Sequence, residues 1–201
     1  MASVTDTSNL EYTRRLIRLQ NKGWKRFVDV QAPYRWNVRR LQPGFVLEIG
    51  CGIGRNLLHL GGNGVGVDHN PHSIQVCRVR GLNALTSDEF PYSEFAGDAR
   101  FDSLLLSHVA EHMSRPEVTA LLSQYLPYLK PDGKIILITP QEAGYKSDAS
   151  HVEFMDHGKL DEILASIGYT VSKAYSFPFP RPIGGLFLYN EFITVGQRQQ
   201  R

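Results

Sequence analysis

The sequence predicts an α/β protein built on a doubly wound sheet, and three observations carry that expectation. Val46, Leu47 and Ile49 form a short apolar run, followed by Gly50, Gly52 and Gly54 and then by a helix-like segment, Asn56 to Leu60. Such a run fits a strand buried on both faces of a parallel sheet. A second apolar run, Val65-Gly66-Val67, ends at Asp68, eighteen residues after Gly50. Beyond it, strand-length apolar runs alternate with helix-length amphipathic ones, which implies right-handed crossovers between neighbouring strands.

The composition is that of a soluble globular domain. Of 201 residues, 42% are hydrophobic and 21% charged, enough for an ample core. No apolar run approaches the length of a membrane span and the N-terminus lacks a signal-peptide core, so a cytoplasmic protein with no membrane partner is expected. Two cysteines, Cys51 and Cys77, make no disulfide framework. The net charge of +2 is unevenly spread: residues 1–42 hold nine Lys and Arg against Asp6, Glu11 and Asp29, a local +6 that leaves −4 for the rest. A basic arm attracts anionic acceptors or nucleic acid; a solvated helix face reads the same way. The chain is divided at this point into a helical cap or arm, 1–42, and a single globular unit, 43–201.

Taken in order, residues 1–8 are small, polar and terminal, and are expected to be disordered. Two helices are expected from Leu10 to about Arg40, broken near Gly23 and before Pro33, with Tyr12, Leu16 and Leu19 as an apolar stripe and Ile17 beside it. Tyr12, Trp24, Phe27, Tyr34 and Trp36 concentrate aromatics there. Gln42-Pro43-Gly44 turns into the first strand, and Gly61-Gly62-Asn63-Gly64 separates the first core helix from the second strand. Asn70-Pro71 opens a helix that Gly81 ends. Asn83 to Thr86 is a third strand, Phe101 to Ser107 a fourth, and Pro116 to Leu129 an amphipathic helix. Lys130-Pro131-Asp132-Gly133 turns into a fifth strand, Lys134 to Thr139, and 140–151 is a polar loop. A helix over about Lys159 to Ile167 precedes two last strands, near Tyr169–Tyr175 and Phe187–Thr194.

The glycine turn is not the dinucleotide fingerprint G-x-G-x-x-G, because its third glycine falls on Arg55 or Leu57. The pattern Glu48-x-Gly50-x-Gly52-x-Gly54, with Asp68 downstream, resembles the first motif of the class I S-adenosylmethionine (SAM)-dependent methyltransferases. The resemblance extends from Phe45 to about Thr194 and takes in the Leu129-Lys130-Pro131-Asp132-Gly133 turn. It implies a Rossmann-like sheet of seven strands, the last antiparallel and inserted beside the edge strand, under an N-terminal helical cap. It also implies SAM as cofactor, held by Glu48, Gly50, Gly52, Gly54, Asp68 and Ser107. Strand carboxyl ends are where ligands bind in such sheets. Asp88, after the third strand, stands where the family often contacts the adenine amino group, and equally where a capping aspartate belongs.

Seven histidines bear on the chemistry. His59, His69, His72 and His157 fall away from the expected transfer point. His108, Glu111 and His112 follow the fourth strand at offsets that share one face of a helix, and His151 lies in the loop after the fifth strand. In one mechanism His151 is the general base, oriented by Asp148, with His108 as a second catalytic candidate. In another, Glu111, His112, His108 and His151 hold a divalent cation that polarises a hydroxyl. His-x-x-Glu-His resembles the Glu-x-x-Glu-His metal site of ubiquinone-pathway and RNA 3′-terminal 2′-O-methyltransferases, departing from it at His108. Three imidazoles and a carboxylate suit Zn or Mn better than Mg. A third reading makes Glu111 and His112 helix-start residues with local hydrogen bonds.

The function expected is O-methylation of a small polar acceptor. Compact size and the histidine cluster resemble actinobacterial sugar O-methyltransferases, which makes a sugar hydroxyl the preferred acceptor. The alternatives are an RNA end, a quinone or lipid given Phe177, Phe179, Phe187 and Tyr189, or a SAM-binding regulator without catalysis. Expected partners are the small-molecule acceptor and a second copy in a homodimer. Nucleic acid is disfavoured, since the stacking array of an RNA module is missing.

Overall fold

The computed structural model describes residues 13–14 and 29–199. The first expected N-terminal helix beyond those two residues, the break at Gly23, the disordered stretch 1–8, and Tyr12, Trp24 and Phe27 lie outside the described residues. The chain divides into two compact units, 1–96 and 97–201.

In the first unit, α1 (Ala32–Arg40) carries Pro33 in its first turn and buries Asn37 and Val38. It is followed by β1 (Val46–Ile49), α2 (Arg55–His59), β2 (Gly64–Asp68), α3 (Pro71–Val79) and β3 (Ala84–Thr86). Both β1–β2 and β2–β3 pair in parallel. Every residue of β1 and β2 is buried, glycines and Glu48 included, as a strand covered on both faces requires. Asn70 caps α3, its side chain accepting from the backbone N–H of His72 at 2.9 Å and of Ser73 at 3.4 Å. The Asn70 amide also donates to the Thr13 hydroxyl at 3.2 Å, which ties the chain at Thr13 to this cap.

Gly66 is fixed by space. A Cβ there would stand 2.6 Å from Cys51 Sγ and 2.9 Å from Leu57 Cδ1. Gly66→Ala is therefore expected to destabilise the protein by about 1–3 kcal/mol, the usual range for overpacking, which chemical denaturation checks as a lower midpoint at unchanged slope.

In the second unit, β4 (Phe101–Ser107) leads through a 3₁₀ turn (Ala110–His112) to α4 (Arg115–Tyr125), then β5 (Leu129–Pro140), α5 (Glu142–Lys146), α6 (His157–Ser166), β6 (Tyr169–Phe177) and β7 (Glu191–Arg198). The strand β7 is antiparallel to both β5 and β6. The strand order is β3-β2-β1-β4-β5-β7-β6, seven strands with the last antiparallel, the Rossmann-like arrangement expected.

Several boundaries differ from the sequence expectation. The helix read to Leu129 ends at Tyr125, where Pro127 forces a 3₁₀ turn, Leu126–Tyr128. The expected turn at Lys130–Gly133 is a bulge inside β5: partners step from Phe101↔Leu129 to Ser103↔Lys134. The loop read as 140–151 contains α5. The last strand begins at Glu191, not Phe187, because 178–190 is held as a loop. Buried Asn190 donates to Gln141 Oε1 at 3.0 Å and to the Phe179 carbonyl at 3.1 Å, while the Gln141 N–H donates to the Asn190 carbonyl at 2.9 Å.

Among the described residues no helix is long and apolar enough to cross a membrane.

Candidate active site

In the first unit, β1 and α2 are joined by a tight glycine turn. Gly50, Gly52 and Gly54 all have positive φ, at 72°, 52° and 75°. Side chains rarely adopt that region, and the three N–H groups are held within the turn, on the Val67 carbonyl at 2.8 Å, Asp68 Oδ2 at 2.8 Å and the Cys51 carbonyl at 2.9 Å. A Cβ at Gly54 would overlap the Leu82 side chain. Asp68, the last residue of β2, locks this turn: Oδ2 accepts from the Gly52 N–H and Oδ1 from the Asn70 N–H, each at 2.8 Å. Each oxygen keeps lone-pair capacity for a further donor. Glu48 is buried on β1, with Oε1 accepting from Asn56 Nδ2 at 2.7 Å and Oε2 lacking a hydrogen bond. Burial raises its pKa to about 7 against the opposing Asn56 hydrogen bond. An unmatched buried acceptor beside a positive-φ glycine turn fits a cofactor that brings both donors and acceptors. Asp88 is exposed in the turn after β3.

In the second unit, Ser107 ends β4 and is half-buried. Next to it His108 adopts a left-handed backbone with φ of 59°, rare for a side chain of this size. The three residues Ala110–His112 form a 3₁₀ turn, so the α-helical offsets expected of His108, Glu111 and His112 do not apply. Instead His108 is clamped between carboxylates: Nδ1 lies 3.2 Å from Glu111 Oε1 and Nε2 lies 2.8 Å from Glu191 Oε1. Burial alone pulls the His108 pKa down, but Glu111 and Glu191 outweigh it and raise it to about 9. With both nitrogens turned to carboxylates, His108 is an imidazolium at neutral pH.

This shift has a sign that can be tested. A histidine whose pKa is raised on folding contributes stability that is fully present below its unfolded value, near 6.5, and lost as pH rises through about 9. The stability difference between wild type and His108→Gln, from denaturation at a series of pH values, is expected to shrink across that window.

Glu111, His112 and His151 do come together, their ligating atoms all within 4.8 Å of one another. The Glu111 carbonyl accepts from the N–H groups of Val152 at 2.7 Å and Glu153 at 3.2 Å, which draws the loop onto the 3₁₀ turn. His151 Nδ1 lies 2.6 Å from the Tyr145 carbonyl. A carbonyl only accepts, so in the neutral ring Nδ1 carries the proton and Nε2 presents its lone pair. Tyr145 stacks on the His151 ring at 5.2 Å and His112 meets its edge at 4.8 Å. The orienting group is thus the Tyr145 carbonyl and not Asp148. Asp148 instead accepts from Ser150 Oγ at 2.8 Å, and the Ser150 carbonyl receives His112 Nδ1 at 3.2 Å. The Glu111 carboxylate is buried, with Oε1 paired to His108 and Oε2 without a hydrogen bond.

The remaining histidines lie elsewhere. His59 is buried at the end of α2, His69 and His72 are exposed, and His157 bonds Thr194 Oγ1 at 2.8 Å. Sequence reasoning missed Glu191, 83 residues from His108, and the Tyr145 carbonyl, because neither has a local signature. Asn56 was legible only as part of a helix.

Comparison with known proteins agrees with this fold. The family model described as "Methyltransferase domain" matches residues 16–174. A tabtoxin biosynthesis enzyme of Pseudomonas amygdali pv. tabaci is 24% identical over 156 residues, 70% of this chain and 60% of that protein; the chain thus spans about three-fifths of that relative's length. A SAM-dependent methyltransferase structure from Archaeoglobus fulgidus superposes with a TM-score of 0.65 at 21% identity, over 87% of this chain and 97% of that one. The magnesium protoporphyrin IX methyltransferase of Synechocystis PCC 6803 with bound SAH superposes at 0.68 and 17% identity, over 98% of each chain. The matched residues include the Glu48–Gly54 turn, Asp68 and His151, and the chain belongs to the class I, Rossmann-like family of SAM-dependent methyltransferases.

Proposed function

We propose that the protein methylates a hydroxyl group of a small polar acceptor, with a sugar as the preferred class, and that His151 takes the hydroxyl proton. The observation carrying this reading is the His151 tautomer: Nδ1 is held on the Tyr145 carbonyl at 2.6 Å, which leaves Nε2 as an acceptor. An amine acceptor that is already neutral needs no positioned base, whereas a hydroxyl does. SAM, when bound, supplies an electrophilic methyl group on a sulfonium sulfur. Glu48, the Gly50–Gly54 turn and Asp68 would hold it, with Asp68 toward the ribose hydroxyls and Ser107 and Asp88 as further contacts. His112, Ser150 and Asp148 give the neighbourhood of His151 polar groups suited to orienting a polyol. The protein is read as cytoplasmic and as a homodimer.

The test is methyl transfer from labelled SAM to a panel of sugars and oligosaccharides, amines, quinols and short RNAs. Labelled sugar ethers are the expected product. Turnover confined to amines would remove the need for a base and overturn the reading; turnover confined to quinols or RNA would move the acceptor class.

A second reading is favoured by one observation. Glu111 Oε2 is buried without a hydrogen bond, Oε1 being paired to His108, and the carboxylate converges with His112 and His151. Both imidazoles have Nδ1 on backbone carbonyls, so both Nε2 atoms are free to ligate, the outer-shell arrangement common around metals. Glu111, His112 and His151, without His108, would hold a divalent cation, and this nitrogen-rich set suits Zn or Mn better than Mg. Thorough chelation is expected to abolish activity on this reading and to leave it intact if His151 acts as a base alone.

A further inference from the structure

One face of α1 carries a pocket lined by none of the site residues named above. Ala32, Arg35, Trp36, Arg39 and Arg40 line an open pocket of about 440 Å³. The helix reads APYRWNVRR, with no acidic residue. Arg35 is paired with Asp29 at 2.6 Å. Arg39 is different: its Nε donates to the His59 carbonyl at 2.5 Å. A carbonyl orients the guanidinium without cancelling its charge. Trp36 is 56% exposed, with the Arg40 guanidinium 4.5 Å from its ring centroid.

The field of this face is felt in the protein beneath it. Burial, with the charges of Arg55, Arg35 and Arg39, pushes the His59 pKa down to about 4. Asp29 opposes that shift but does not reverse it. Among the described residues the pocket lining is therefore basic as well as aromatic.

We propose that the α1 pocket binds a phosphate group, carried by a ligand whose flat face lies on Trp36. Guanidinium forks take oxyanions in bidentate fashion. A phosphate offers three acceptor oxygens and so engages more than one guanidinium at once, where a carboxylate saturates a single fork. An exposed indole adds a stacking surface for a base or a ring. A free nucleotide and the end of an RNA strand present the same chemistry, and the measurement separates them.

The test is calorimetric titration of the full chain with inorganic phosphate, a nucleoside monophosphate and a short single-stranded RNA. Saturable, salt-sensitive binding is expected, with the monophosphate tighter than phosphate because Trp36 contributes. Arg39→Gln and Arg35→Gln are each expected to weaken it about tenfold or more, and Trp36→Ala to erase the advantage of the monophosphate over phosphate. Arg40→Gln, which leaves the Arg39–His59 bond in place, serves if Arg39→Gln folds poorly. Occupancy is also expected to raise the His59 titration midpoint, read by NMR. RNA binding with a steep salt slope and no monophosphate binding identifies the source as a strand. Absence of saturable binding of all three probes, or equal affinity in wild type and the arginine variants, overturns the proposal.

Discussion

His151→Ala is expected to lower methyl-transfer turnover by about 10²–10⁴-fold, the usual scale of acid–base catalysis, while SAM affinity stays nearly unchanged. The size of the effect follows from geometry. The imidazole is held on three sides, by the Tyr145 carbonyl at 2.6 Å, the stacked Tyr145 ring and the edge of His112. A base already in place needs little reorganisation at the moment of transfer. Alanine removes the acceptor nitrogen and leaves Tyr145 and His112 where the backbone puts them. His151→Gln keeps a polar group but has no comparable basicity, so it is expected to be as impaired. Steady-state kinetics with calorimetry of SAM separates the two quantities. Repeating the kinetics after chelation separates base from ligand: chelation-resistant activity that still needs His151 marks the base, and activity restored by a divalent ion marks the cation. Wild-type turnover in His151→Ala would refute both roles.

Asp68→Ala is expected to weaken SAM binding by about 10–100-fold, which corresponds to the roughly 1.5–3 kcal/mol of a charge-assisted hydrogen bond. Two losses combine. The ribose loses its acceptor, and the glycine turn loses its lock, because Asp68 Oδ2 accepts from the Gly52 N–H at 2.8 Å. Asp68→Asn restores part of the lock through its carbonyl oxygen and is expected to fall between alanine and wild type. Calorimetry with SAM and with its demethylated product checks this. Equal affinity in wild type and Asp68→Ala would remove the ribose assignment.

The two units differ in how far the sequence disclosed them. The Glu48–Gly54 turn and Asp68 were legible because the requirement is local: alternate glycines need positive φ, and an acid at the next strand tip needs only chain spacing. The strands were legible wherever apolar runs were continuous. The last strand was misplaced because Phe187, Leu188 and Tyr189 mimic strand residues, while the Gln141–Asn190 pair that holds them in a loop spans 49 residues. His108 was misjudged for a related reason. Its spacing suggested a shared helical face with Glu111 and His112, but a left-handed backbone at φ 59° and a distant Glu191 turned it into a clamped cation. Local pattern carries local geometry, and long-range electrostatic partners leave no trace in it.

The position of β7 has a consequence for how the second unit is made. This strand pairs with β5 on one side and β6 on the other, yet it is synthesised after both. While the ribosome is still producing residues 178–190, β5 and β6 have no shared neighbour, and each exposes backbone groups that only β7 will cover. Every contact that completes this half of the sheet is deferred to the last strand, so vectorial synthesis gives the nascent chain an interval of aggregation risk. Release of β7 from the exit tunnel, more than any earlier event, sets when the Glu191 clamp on His108 can close.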